Sequence, residues 1–256
     1  IYAILSLINI LINNLRLVIA LSVISFLTAQ DFTKIDIDLE NLAFQKTIIP
    51  LQELNNNFPK NIDVLSRLSA AHHFLSEKAD DKKIEKMNTE KALKYITEAM
   101  EIDSTSAEVH KWYAVSFGKS VENQSIRKQI ESSKIIEFHC LQAIQKLPSD
   151  PFCYNIMGQW HYRLADISPL SRRLATIIFE EPPKGSFEMA EYFLSKSLEL
   201  EPKYIGTYYW LGKSYDKLGN EEKKLSLFKT ATDLPRPYKR EEIMYKEILK
   251  YLNNKS

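Results

Sequence analysis

The chain has 256 residues, 45% of them hydrophobic and 26% charged, with only six glycines. That is enough apolar material for a substantial core, and too little glycine for a sheet protein punctuated by tight turns. The net charge is +1, and the first thirty residues hold one charged residue, Arg16, so a neutral body of 33 basic and 33 acidic groups remains. Such a body has no broad field for steering nucleic acid, and no nucleic-acid partner is expected.

In chain order, the first element is apolar. Leu17 to Leu27 is interrupted only by Ser22 and Ser25, Arg16 precedes it, and Thr28-Ala29-Gln30 follows. A short apolar run between a basic residue and small, polar residues is the layout of an export signal cut near Ala29. Joined to Ile1–Ile12 across Asn13, Asn14 and Arg16, the same run also suits a retained membrane anchor. Residues 1–29 are therefore expected to be a signal peptide or anchor, 30–39 a linker, and 40–256 a single repeat domain.

The repeat emerges when Pro59, Ser104, Pro148 and Pro202 are taken as markers, each closing one helical pattern and opening a turn. Ten residues after each lies a small side chain: Ser69, Ala114, Gly158, Gly212. Nine after lie Leu68, Tyr113, Met157 and Leu211, and thirteen after lie His72, Phe117, His161 and Tyr215. These offsets share one helix face. Counting backwards, Leu51, Ile96, Cys140 and Leu194 stand eight before the markers, and Thr47, Ala92, Ile136 and Ala190 twelve before.

A small residue on one helix opposite a small residue on its antiparallel partner, with large apolar side chains filling the sides, is the tetratricopeptide solution. The expected fold is an all-α, right-handed array of antiparallel helix pairs. Marker spacings of 45, 44 and 54 exceed the repeat of about 34, which places insertions at the turn inside each of the first three repeats. A leading helix ending at Phe58, four helix pairs and a closing helix from about Tyr238 to Leu252 complete the plan. Lys239, Arg240, Glu241, Glu242, Lys246 and Lys250 suit that last helix to a solvating cap, with Ile243, Ile248, Leu249 and Leu252 over the core.

The first helices of such an array line its concave side. Offsets of four, seven, eleven and fourteen give His73, Lys111, Asn155, Gln159, Tyr162, Tyr209 and Lys213 as the expected partner-binding face. Amide, ammonium and phenol groups there suit hydrogen bonding to a protein segment or a lipid head group. Arg172 and Arg173, inside the third insertion, either present guanidinium groups to an anion or pair with Glu180 or Glu181.

His72 and His161 occupy a bulky packing position and are expected in or near the core. His139, Cys140, Cys153 and His161 lack zinc-site spacing, Cys140 and Cys153 are either a bridge or two buried thiols, and no phosphate loop or nucleophile elbow is present. No metal, cofactor or catalytic centre is expected.

Two segments are more specific. The run His110-Lys111-Trp112-Tyr113-Ala114-Val115 resembles a signature of the regulator of microtubule dynamics family. The stretch Met157–Ala190 resembles that family's long third insertion, through Met157-Gly158, Trp160, Tyr162, Arg172-Arg173, Ala175, Phe179, Pro182-Pro183, Ser186, Glu188 and Ala190, and Leu211-Gly212-Lys213 continues the likeness. It covers about residues 55–235. The resemblance implies a non-catalytic helical adaptor associated with microtubules, with some members anchored at mitochondrial or reticulum membranes. An export signal at residues 1–29 would instead imply an exported helical holder of a lipid or cell-envelope partner, with no microtubule role.

Overall fold

The computed structural model describes residues 32–178 and 181–254, and every regular element among them is helical. The expected signal or anchor, residues 1–29, lies outside the described residues, and no described helix is long and apolar enough to cross a membrane. The chain divides into two compact units, Ile1–Glu53 and Leu54–Ser256.

In the first unit, residues 32–40 form helix α1 and the chain turns through Leu42, at φ 59, into α2, Phe44–Asn57. The stretch expected as a linker is thus largely helical, with Ile35 buried. The division between units falls inside α2, later than residue 40.

The second unit holds the four expected pairs. They are α3 (Ile62–Lys78) with α4 (Lys82–Ile102), and α5 (Ala107–Val121) with α6 (Ile126–Lys146). Next come α7 (Pro151–Ala165) with α9 (Phe187–Leu200), and α10 (Ile205–Lys217) with α11 (Glu221–Ala231). A short helix, α8 (Pro169–Ile178), interrupts the third pair, and α12 (Lys239–Asn253) closes the chain. Side chains at the helix starts explain the boundaries: Asn61, Asp81, Ser106, Ser125, Asp150, Ser186 and Asn220 each accept a backbone N–H of the first turn, worth about 1 kcal/mol apiece.

Two expectations change in detail. The small residues receive large ones: a Cβ on Gly158 would overlap Leu194, and one on Gly212 would overlap the Phe228 ring. Each glycine is the hole for a knob on the second helix of its own pair, so shape complementarity sets the register. The extra residues also differ between repeats. In the first two, the turns are short and α4 and α6 each run to 21 residues, because the added segments carry helix-compatible residues that continue the packing face. Only the third has a true excursion, residues 166–186 around α8.

Its return passes so close to α7 that a Cβ on Gly185 would meet the His161 carbonyl and the Ala165 backbone nitrogen. Arg172 fastens the excursion. Its guanidinium donates to the Leu164 carbonyl at 2.7 Å and to the Pro182 carbonyl at 2.7 Å.

Helix α12 is not a plain solvating cap. Met244 and Ile248 are buried in the core of the fourth pair, Glu241 is also buried, and Ile243 is exposed. Its first turn instead reaches α3, where the Tyr238 ring stacks on Phe74 and Arg240 approaches Glu77.

Candidate functional site

The expected lining residues lie on the first helices α3, α5, α7 and α10, where they do different jobs. Lys111 is 7% exposed, and its Nζ sits 2.7 Å from Glu108 Oε1 and 2.9 Å from Asp150 Oδ2. Burial works against its charge, but the two carboxylates outweigh it and the pKa rises. Asp150 accepts Lys111 with one oxygen and the Phe152 N–H, at the start of α7, with the other. Asn155 is buried and donates to Thr207 Oγ1 at 2.9 Å, joining α7 to α10, while Gln159 donates to Asn155. Contrary to expectation, Lys111 and Asn155 fasten helices to one another, because each finds its polar partner on the neighbouring repeat.

His73 packs against Phe74 and Trp112. Burial pushes its pKa down to about 4, so the ring is neutral at pH 7. It borders an ionic region of Glu77, Lys119, Glu122 and Arg240.

One turn further along each first helix, offsets of fifteen and eighteen from the later three markers give Lys119 and Glu122, Arg163 and Asp166, Lys217 and Asn220; the first marker gives Phe74 and Glu77. These residues form a ladder in which the cation of one repeat meets the acid of the preceding one. Lys119 lies 2.7 Å from Glu77, Arg163 3.6 Å from Glu122, and Lys217 2.5 Å from Asp166. Lys119 also meets Glu85 at 2.9 Å. From α12, Arg240 inserts between Glu77, at 3.5 Å, and Glu122. Burial alone would raise the Glu77 pKa, but Arg240, His73 and Lys119 hold it below the ordinary carboxylate value.

Beside the ladder, Tyr162, Arg163, Asp166, Ile167, Trp210 and Lys213 line a cavity of about 430 Å³ between α7 and α10. The Lys213 ammonium stands 5.2 to 5.5 Å from the ring centroids of Tyr162, Tyr209 and Trp210, within cation–π range. It donates to the Tyr209 hydroxyl at 3.5 Å, and among the described residues no carboxylate pairs with it. Tyr209 itself donates to Glu247 of α12. Arg163 stacks over Trp210 at 5.1 Å, and the buried Trp210 indole N–H has no acceptor. Burial raises the Tyr162 phenol to about 12, so it stays protonated. The cavity therefore gathers cations and aromatic faces, with Asp166 already engaged by Lys217.

The remaining histidines, the cysteines and Arg172 are held in structural contacts. His72 bonds Asn88 at 2.8 Å and stacks on Tyr95, and His161 stacks on Phe193. Cys140 and Cys153 are free, buried thiols; burial, then the neighbouring Cys153, pushes the Cys140 thiol up. Arg172 is turned onto backbone carbonyls, whereas Arg173 is exposed. His139 bonds His110 through facing Nδ1 atoms at 2.7 Å, and among the described residues no three metal-binding side chains cluster.

Stacked helix pairs with glycine holes, side-chain fasteners between repeats and a continuous first-helix face define a tetratricopeptide-type repeat protein. A solved thermophilic TPR protein of Thermus thermophilus superimposes with a TM-score of 0.57 at 10% identity, covering 86% of this chain and 99% of that one, a likeness of fold.

The chain belongs to the family described as regulator of microtubule dynamics protein 1-3, whose model matches residues 32–256. Regulator of microtubule dynamics protein 1 of Mus musculus is 33% identical over 165 residues, 64% of this chain and 53% of the relative. Protein 3 of Xenopus laevis is 28% identical over 185 residues, 71% of this chain and 40% of the relative. The chain spans about half the length of the curated relatives it matches.

Proposed function

We propose that the chain is a non-catalytic adaptor that holds an acidic protein segment on its first-helix face, at the cavity between α7 and α10. The observation that carries this reading is Lys213, a cation held by three rings and lacking a carboxylate among the described residues, beside the half-exposed Arg163. A carboxylate entering there gains charge-assisted hydrogen bonds in surroundings already partly desolvated. Since the body is neutral, recognition is local and not a matter of a broad field. The family name gives the setting, microtubule dynamics, and an acidic microtubule surface is the partner class this chemistry fits.

Cosedimentation with microtubules tests it. Lys213→Glu is expected to weaken binding about tenfold or more, equivalent to about 1.4 kcal/mol, with helicity unchanged. Undiminished binding by a folded Lys213→Glu chain would remove the cavity from the interaction.

A second reading rests on the apolar run Leu17–Leu27 with its small-residue exit at Thr28-Ala29-Gln30. Under it the chain is exported and holds a partner outside the cytoplasm. Fusing residues 1–60 to a reporter separates the two: a product cut near Ala29 and released replaces the microtubule setting, and a retained, uncut one supports membrane attachment.

A further inference from the structure

The first turn of α12 contacts the opposite end of the same face with a definite chemistry. Tyr238 stacks on Phe74 at 5.8 Å and 16°, and Phe74 belongs to a ring group with Trp112 and Phe152 at 5.7 and 6.0 Å. The Lys239 ammonium donates to the Asp80 carbonyl at 3.2 Å. Arg240 spans two carboxylates from successive repeats, Glu77 and Glu122.

The two halves of α12 are attached differently. Its rear half is rooted in the fourth pair by Met244 and Ile248, with Tyr251 and Leu252 packed alongside. The buried core beneath its front turn is built on Leu65, Ile96, Val109 and Trp112, and Tyr238 touches its edge at Phe74. Arg240's ion pairs, the Lys239–Asp80 hydrogen bond, one ring stack and the buried Glu241 hold the front turn, at the end of a connection containing Pro235 and Pro237. Exchanging such contacts for those of an outside segment of the same chemistry costs little, because each buried charge keeps a partner.

We infer that this end of the face is a receptor for a protein segment carrying an aromatic residue followed two positions later by arginine, and that the front turn of α12 is a displaceable occupant of it. The phenol face of the chain's own Tyr238 and the guanidinium of Arg240 show what the receptor takes. The short tether gives the front turn an effective concentration in the millimolar range, so an outside segment binds weakly until the latch is loosened. The inference deepens the adaptor reading by adding regulation to the same face. Opening α12 also bears on the acidic-segment cavity, since Glu122 is shared by Arg240 and Arg163, and Glu247 of α12 holds Tyr209.

A labelled peptide of sequence Leu234–Ile243, titrated into the full chain, tests the receptor. A folded Arg240→Ala or Tyr238→Ala chain is expected to bind it about tenfold more tightly than the unaltered chain, and adding Glu77→Gln is expected to cancel the gain. If the folded variants bind no better, the receptor is overturned.

Hydrogen exchange on the unaltered chain tests displaceability without any variant. The amides of Ile243, Met244 and Tyr245 bond carbonyls of the first turn of α12. They are expected to exchange faster than that of Ile248, and faster still at high salt, which screens ion pairs. Exchange of all four at the rate of global unfolding, whatever the salt, would overturn the latch. Neither measurement uses Lys213, so this inference and the acidic-segment reading can fail separately.

Discussion

At one end of the ladder, the Lys119 side chain is 9% exposed among Glu77, Glu85 and Glu122, whereas at the other Lys217 is 40% exposed beside Asp166 alone. The two lysines hold the same position in their repeats and reach back to the same position in the repeat before. What differs is the front turn of α12, which brings Arg240, Glu241 and Tyr238 over the first end and leaves the second to water. Equivalent sequence positions thus have unequal energetic weight. In a buried site, removing one partner strands the others' charges, whereas in an exposed site water replaces the partner at almost no cost.

The contrast is tested most forcefully at Lys119. Lys119→Ala is expected to lower unfolding stability by about 3–5 kcal/mol in urea titrations, because up to three carboxylates lose a cation in a poorly hydrated region. A loss below about 1 kcal/mol would mean that water reaches the cluster freely, and the difference between the two ends would collapse.

A smaller, pH-dependent effect is expected at Glu241. Burial raises its pKa from the ordinary 4.5 to about 7, so between these values the folded chain keeps a proton that the unfolded chain has lost. Its contribution to stability is full below about pH 4.5 and lost as pH rises through about 7. Glu241→Gln mimics the protonated group and is expected to gain about 1–2 kcal/mol at about pH 8 and nothing at about pH 4. Chemical denaturation at both pH values checks it, and a gain equal at both would assign the effect to packing.

The smallest effect belongs to the open end. Lys217→Ala is expected to change stability by no more than about 0.5–1 kcal/mol, with the difference vanishing at high salt. A larger loss would show that the Asp166 pair supports the excursion after α7.

Much of the fold was legible because marker spacing and small residues report packing directly. The leading helix, the four pairs and the closing helix stand where the offsets place them. Spacing alone could not tell that the first two insertions extend α4 and α6, since added residues count alike in a helix or a loop. It also suggested small residues opposite small ones, where Leu194 and Phe228 fill the glycine holes.

Of the expected face, Tyr162 and Lys213 line one cavity, with the Tyr209 ring against the Lys213 ammonium, whereas Lys111 and Asn155 are occupied by neighbouring repeats. The ladder lies one helical turn beyond the expected face on the same marker count. Arg240 was not, because its meeting with Glu77 depends on where α12 lies in space, and no periodicity carries that information.

The reach of α12 from the fourth pair to the first has a consequence for how the second unit comes apart. In an open array each repeat touches only its neighbours, so the ends fray first and melting is gradual. Here the last helix bonds the first pair through Arg240, Lys239 and Tyr238, which turns a line of repeats into a closed circuit with no free end. A closed circuit is expected to melt in one cooperative step. With the front turn of α12 detached, the same repeats would recover independent ends and a broader transition.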